Sequence, residues 1–149
     1  MKLLEDRLPI TSITVMVQKE AAERLCAQPG TRECGAVSAA VQYYAEPEIL
    51  FEVSRGSFMP APNVDSAVIQ LRIRKEPPVD VHDEALFFRV IRAAFAQRRK
   101  TAVNSISNTL HMSKQQVTDA FEQVGVRANS RAEALTLPEF AAIVNQLAE

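Results

Sequence analysis

Hydrophobic spacing along the chain changes character several times, and each change marks an element. Residues 10–17, ITSITVMV, form a near-continuous, β-branched run of the kind a strand buried in a parallel sheet needs. The preceding MKLLEDRLP reads as the tail of a helix closed by Pro9. Helical spacing takes over in KEAAERLCAQPG, where Ala21, Ala22 and Leu25 share an inward face and Pro29-Gly30 ends the segment. CGAVSAAVQYYA continues as a second helical segment, expected to stop before Pro47. EILFEVS then reads as a strand, Arg55-Gly56 as its turn, and Asp65 to Arg74 as a further strand. In that last strand Ala67, Ile69, Leu71 and Ile73 fall on one face and Gln70, Arg72 and Arg74 on the other, so one face is core and the other wet.

The stretch KEPPVDVHDE interrupts both periods with two prolines and mixed charge, and reads as a linker between residues 1–76 and 77–149. Everything beyond it has helical spacing. Asp83 is placed to cap a helix running to about Gln97. Ser113 with Gln116, Ser130 with Glu133, and Thr136 with Glu139 each have capping-box spacing, and Gly125 sits where a left-handed residue would end the helix that Ser113 begins. The fold class expected is therefore α/β followed by all-α. Three strands and two helical segments cannot cover both faces of a strand as apolar as Ile10 to Val17, so part of the sheet is expected to lie upstream.

Composition narrows the functional classes. The chain has 149 residues, 47% of them hydrophobic, and a formal net charge of −1, so no attraction of the whole molecule to nucleic acid or membrane follows. Cys26 and Cys34 are too far apart for a CxxC pair, and His82 and His111 stand far from both, so all four read as structural and no metal site is expected. The absence of a signal-like apolar segment or a membrane-length run points to a soluble, cytoplasmic chain.

Charge clustering changes the picture. From Ala85 to Thr118 no acidic residue occurs, while Arg89, Arg92, Arg98, Arg99, Lys100 and Lys114 supply six cations. On one continuous helix Arg89, Arg92 and Arg99 would share a stripe beside the apolar arc of Phe87, Phe88, Ile91 and Phe95. Arg98 would then fall on the apolar side, so either the helix ends before it or an internal partner holds its guanidinium. A basic helix is commonly just a solvated face. Here the missing acids argue against internal pairing, and Gln97, Asn104 and Ser105 add groups able to bond phosphate oxygens and sugar hydroxyls.

Four stretches, MVQKEAAERL, VQYY, FMPAPNVDSAV and FAQRRKTAVNS, together with the closing RAEALTLPEF, resemble the rRNA adenine N6,N6-dimethyltransferases, the KsgA-type enzymes that use S-adenosylmethionine to methylate adenines of small-subunit rRNA. The resemblance runs in the family's order over almost the whole chain and implies the C-terminal part of a Rossmann-like methyltransferase sheet, about three strands, plus a small helical rRNA-docking domain. By its residues alone Phe58 would read as a core plug at a strand end. The resemblance implies instead that Phe58 stacks on the extruded target adenine. Pro60 and Pro62 would stiffen the loop that carries it, and Asp65 and Ser66 would anchor that loop to the sheet. Arg55, Arg89, Arg92, Gln97, Arg98, Arg99, Lys100 and Asn104 are the implied RNA contacts. Ala102-Val103 departs from the family, which usually has a leucine and often another arginine there, and one phosphate contact is correspondingly in doubt.

The resemblance also defines what the sequence lacks. The family carries a glycine-rich turn for S-adenosylmethionine, an acidic residue for its ribose, and an Asn-Leu-Pro-Tyr motif for the adenine amine. Glycines at 30, 35, 56 and 125 include no GxG, and no such Asn motif occurs. The expectation is a truncated or fragment form: S-adenosylmethionine is the cofactor of the full-length enzyme, none binds this chain alone, and the chain is inactive by itself. Its partner is small-subunit rRNA or an immature subunit, not a membrane, and it self-associates through an exposed sheet edge. The alternative is a non-enzymatic RNA-binding or ribosome-assembly module; a helical DNA-binding domain is disfavoured because no recognition-helix pattern stands out.

Overall fold

The computed structural model describes residues 11–32, 34–57, 60 and 63–148. In chain order the elements are β1 (Ser12–Gln18), α1 (Lys19–Leu25), α2 (Ala36–Tyr44), β2 (Ala45–Val53) and β3 (Ser66–Ile73), then α3 (Glu84–Phe95), α4 (Ala102–Leu110), α5 (Lys114–Gln123) and α6 (Leu137–Leu147). Single 3-10 turns occupy Arg55–Ser57 and Ala132–Ala134. The helix tail expected before Pro9 lies outside the described residues.

The sheet has the order β1-β3-β2, with β3 antiparallel to both neighbours. This corrects the reading of Ile10 to Val17 as a buried parallel strand. Ile13, Val15 and Val17 lie opposite Leu71, Ile69 and Ala67, so alternate residues of β1 share the face that β3 turns to the helices. Backbone bonds close both ends of this pairing, from Lys19 N to Asp65 O and from Ile73 N to Thr11 O, each 2.9 Å. Among the described residues β1 pairs with β3 alone and is an edge strand, which leaves Val15 38% and Met16 52% exposed. A β-branched run fits a pleated surface in either direction, so composition alone did not fix the partner's orientation.

β2 starts earlier than its sequence suggested. The second helix stops at Tyr44, and the strand runs from Ala45 through Pro47. A proline without an N–H is tolerated there because β2 is the opposite edge of the sheet. The register shifts between Ile49 and Phe51, so Ile49 lies opposite Ile69 on the helix-covered face while Phe51 lies opposite Val68 on the other. Phe51 is 57% exposed, in one row with Val68 and Met16 across the uncovered face.

The helical part is built by its caps. Asp83 Oδ1 accepts from Leu86 N, and Phe87, Val90, Ile91 and Ala94 follow at helical spacing on the buried side of α3. The helix ends at Phe95 rather than near Gln97, so Arg98 and Arg99 lie in a turn and Arg99 does not continue a stripe with Arg89 and Arg92. α5 begins at Ser113 and closes at Gly125, whose φ of 78° allows a Schellman turn: Gly125 N donates to Glu122 O and Val126 N to Phe121 O. Thr136 and Glu139 form a reciprocal capping box on α6. The box expected at Ser130 and Glu133 is not formed, because the chain makes only a 3-10 turn there and Ser130 O instead accepts from Ala102 N.

Phe121, Phe140, Ile106 and Ile143 are fully buried in the helical part, and Ile69 and Val41 extend the same core under the sheet. Two connections fix the parts to each other. The linker is held to α6 by Asn145, which donates to Asp80 O and accepts from His82 N, each at 2.9 Å. The Pro29-Gly30 turn packs on the helical part: a β-carbon at Gly30, whose φ is 92°, would sit 3.2 Å from Thr136 Cγ2.

Candidate nucleic-acid interface

The cations singled out between Ala85 and Thr118 fall into three places. Arg98, Arg99 and Lys100 occupy the corner between α3 and α4, and all three are exposed. Arg89 and Arg92 lie one turn apart on the exposed side of α3 and face α2. Lys114 opens α5. Among the described residues none of these cations has a carboxylate within 4.0 Å, whereas Arg24, Arg72 and Arg74 of the sheet part all do.

The α3–α4 corner lines a cleft of about 250 Å³. Two cations that sequence reasoning missed complete it: Arg32 from the turn after α1, and Arg131 from the turn before α6. Gly30 seating against Thr136 draws the Arg32 turn toward Arg131, and Arg98 crosses to the same turn, its Nη2 3.8 Å from where a β-carbon on Gly35 would sit. The signal was present in the sequence only as isolated arginines, since separations of about a hundred residues carry no periodicity. Glu133 is the carboxylate in the lining. Cys34 also lines the cleft; burial pushes its thiol up to about 11, against a smaller opposing effect of Ser38, and burial raises Cys26 as well. Both cysteines are free thiols held in the protonated form at neutral pH, poor as nucleophiles or ligands. Among the described residues no group of His, Cys, Asp and Glu could hold a metal ion.

Gln97 and Asn104 serve the corner itself. The Gln97 side-chain oxygen accepts from Asn108 Nδ2 at 3.2 Å, and Asn104 N donates to the capping hydroxyl of Thr101. Arg55 closes the neck of the loop that carries residues 56–64: its N–H donates to Asp65 Oδ1 at 2.9 Å and its Nη1 to Asn63 O at 2.8 Å. Asp65 thus holds Arg55 through its side chain and Lys19 through its carbonyl, and Ser66 begins β3 between Gln18 and Val53. Pro60 is exposed; Phe58 and Pro62 lie outside the described residues. No helix of the described residues is long and apolar enough to cross a membrane.

An antiparallel three-stranded sheet is thus joined to a capped helical unit that carries exposed cations with no carboxylate partner among the described residues. The sequence model of the ribosomal RNA adenine dimethylase family matches residues 1–149, and the chain belongs to that family. It is 52% identical over 150 residues to ribosomal RNA small subunit methyltransferase A of Geobacillus sp. (strain WCH70), a match covering 99% of this chain and 52% of that protein. With the protein of the same name from Geobacillus thermodenitrificans (strain NG80-2) it shares 51% identity over 99% of this chain and 51% of the relative. The chain thus spans about half the length of these relatives. Its fold is similar to that of a dimethyladenosine transferase from Plasmodium falciparum, with a TM-score of 0.73 and 18% identity over 99% of this chain and 61% of that one. It is similar also to the 23S rRNA methyltransferase ErmE, with a TM-score of 0.69 and 20% identity over 99% and 59% of the two chains.

The geometry of the basic corner depends on Ser105, which is fully buried on α4. Its Oγ donates to Ala93 O and accepts from Gln97 N at 3.1 Å, tying the last turn of α3 to the start of the corner. Ser105→Ala removes both bonds and leaves the Gln97 N–H without its partner, while Ala93 O keeps the bond from Ala96 N, at a cost of about 1–3 kcal/mol. The expected outcome is a urea-unfolding midpoint lowered accordingly with unchanged m-value, and an unchanged midpoint would remove Ser105 from this role.

Proposed function

We propose that this chain provides the RNA-docking surface of an S-adenosylmethionine-dependent rRNA adenine N6,N6-dimethyltransferase acting on small-subunit rRNA, together with the loop whose Phe58 stacks on the target adenine, and that it does not provide the methyl-donor site. The observation that carries the reading is the convergence of Arg32, Arg98, Arg99, Lys100 and Arg131 on one cleft of a chain that belongs to this family. Phosphate oxygens are the ligands such a cluster suits, and contacts of this kind fix register and orientation on the RNA while the base is read elsewhere. The closed neck at Arg55, Asn63 and Asp65 supports the second part, because it clamps the base of the loop to which Phe58 belongs.

The donor part rests on a test of fit. A glycine cradle for the donor belongs at a strand-to-helix turn, where bare backbone can approach the ligand closely. Here β1 passes directly into α1 with Gln18 and Lys19 at the junction, and the Lys19 N–H is already bonded to Asp65 O. The glycines lie elsewhere: Gly30 against Thr136, Gly35 before α2, Gly56 in a 3-10 turn and Gly125 after α5. These residues do not fit S-adenosylmethionine, and methyl transfer is not assigned to them. The same observation favours a second reading, in which the chain acts as a non-enzymatic RNA-binding or ribosome-assembly module.

Calorimetric titration with S-adenosylmethionine and with its demethylated product is expected to show no binding, and a specific micromolar affinity would overturn the donor part of the proposal. RNA binding is tested separately, with a small-subunit rRNA fragment across a salt series. Replacing Arg98, Arg99 and Lys100 by alanine is expected to weaken binding and to flatten the log–log salt slope by about 0.7–0.9 for each phosphate that is no longer neutralised. An unchanged slope would return the corner to an ordinary solvated face.

We further propose that two copies associate through β1. Over Ser12–Gln18 this edge carries no charge, no proline and no bulge, whereas β2 is blunted by Glu46, Pro47, Glu48 and a register shift. Two β1 strands pairing antiparallel would close an isologous six-stranded sheet. Sedimentation velocity over a concentration series is expected to show a dimer, and Val15→Lys, at a site already 38% exposed, to give a folded monomer. An unmodified chain that stays monomeric at high concentration would sink this part.

A further inference from the structure

A second recess lies between α2 and α3, away from the basic corner. It measures about 380 Å³, within the range of ~300–1,000 Å³ usual for small-ligand sites. Two helical stripes form it. From α2 come Ala36, Val37, Ala40 and Tyr44, and from α3 come Ala85, Phe88, Arg89 and Arg92. The small side chains at 36, 40 and 85 leave the space. Tyr44 and Phe88 face each other as stacked rings, with centroids 5.4 Å apart and planes inclined by 18°, and they close one end. Val37, on the wall in the first turn of α2, is 53% exposed.

The chemistry of the recess is divided. Its walls are apolar and aromatic, the Tyr44 hydroxyl being turned to Glu84, while its charged lining consists of two guanidiniums one helical turn apart, with no carboxylate among the lining residues. A purely apolar ligand would leave Arg89 and Arg92 without a role, and a bare phosphate would leave the walls without one. A nucleotide satisfies both, its base between α2 and α3 and its phosphate on the arginines. Arginine suits this place because its planar fork binds phosphate oxygens in pairs and also stacks on rings.

We propose that the α2–α3 groove is a base-binding subsite, which takes an unstacked nucleotide of the RNA whose backbone lies on the Arg98 corner. The inference rests on the RNA-docking reading above. It adds that binding depends on a base and not on phosphate charge alone, and that Arg89 and Arg92 act with the groove, apart from Arg98, Arg99 and Lys100.

The test compares single-stranded hexaadenylate with the same backbone made abasic, and follows adenosine 5′-monophosphate by methyl NMR on the unmodified chain. The mononucleotide is expected to shift the methyl signals of Val37 and Ala40, while inorganic phosphate at equal concentration leaves them in place. Hexaadenylate is expected to bind roughly tenfold more tightly than the abasic strand. Ala40→Phe, which fills the groove, should remove the part of that preference that survives in Phe58→Ala, whereas Ala40→Ser, which keeps it open, should retain that part. Alanine at Arg98, Arg99 and Lys100 should weaken both strands alike. Equal binding of the two strands by the unmodified chain would overturn the subsite and leave the docking reading standing; failure of both strands to bind would overturn the docking reading itself. Methyl shifts produced equally by octanoate would assign the groove to apolar acids and so refute the proposal. The NMR measurement on the unmodified chain decides the matter even where Ala40→Phe fails to fold.

Discussion

One carboxylate sits at the joint between α2 and α3, beside the connections made by Asn145 and the Gly30 turn. Glu84 accepts from the hydroxyls of Tyr43 at 2.8 Å and Tyr44 at 3.4 Å, and it does so from the first turn of α3, where a negative charge is also favoured by the helix dipole. Around it the rings of Tyr43, Tyr44, Phe87 and Phe88 meet edge-to-face, tilted or stacked, with centroids 5.2–5.4 Å apart. Such pairs are worth about 0.5–1.5 kcal/mol each beyond the area they bury. The joint ties the last turn of α2 to the first turn of α3. It therefore bears on the angle at which the sheet meets the helical part, with its cations. The groove between α2 and α3 is the space left beside that joint, so its width follows from the same ring contacts.

Local signals in the sequence were enough for most of the helical part. Caps at Asp83, Ser113 and Thr136 and the terminator at Gly125 act within one turn of chain, and each was legible from residue types a few positions apart. The Ser130 box shows where that logic stops, since the spacing was right but the Ser130 carbonyl was taken by Ala102, a partner that no local rule identifies. The sheet failed for a related reason. Strand residues Ala67, Ile69 and Leu71 were assigned to the correct face, yet the antiparallel pairing of β1 depends on which strand arrives beside it, and that is a non-local event.

The candidate site divides along the same line. Arg98, Arg99 and Lys100 were visible as a cluster because they are consecutive, and the end of α3 at Phe95 resolves how Arg98 avoids the apolar side. Arg32 and Arg131 were invisible, because nothing in a single sequence brings residues about a hundred positions apart to one cleft; the Gly30 turn against Thr136 does so. Arg55 was legible as a residue but not as a role. Its bonds to Asp65 and Asn63 make it part of the loop's frame.

A net charge of −1 conceals an uneven distribution, because six cations between Ala85 and Thr118 have no acid among them in the sequence. Glu20, Glu46, Glu48 and Glu52 lie on the sheet part and are matched there by Arg24, Arg72, Arg74 and Lys19 at 2.9–3.9 Å. Those pairs are exposed and add little stability. Their effect is on the field: each acid is neutralised within its own neighbourhood and projects little toward the helical part. At physiological ionic strength charges are screened beyond about 8 Å, so what an approaching phosphate meets is the local cluster. From Ala85 to Thr118 the chain contains no acid, and Glu133 is the carboxylate that lines the cleft. The absence of carboxylates in one stretch, more than the number of arginines, gives the corner its local charge, and it is a property that whole-chain charge conceals.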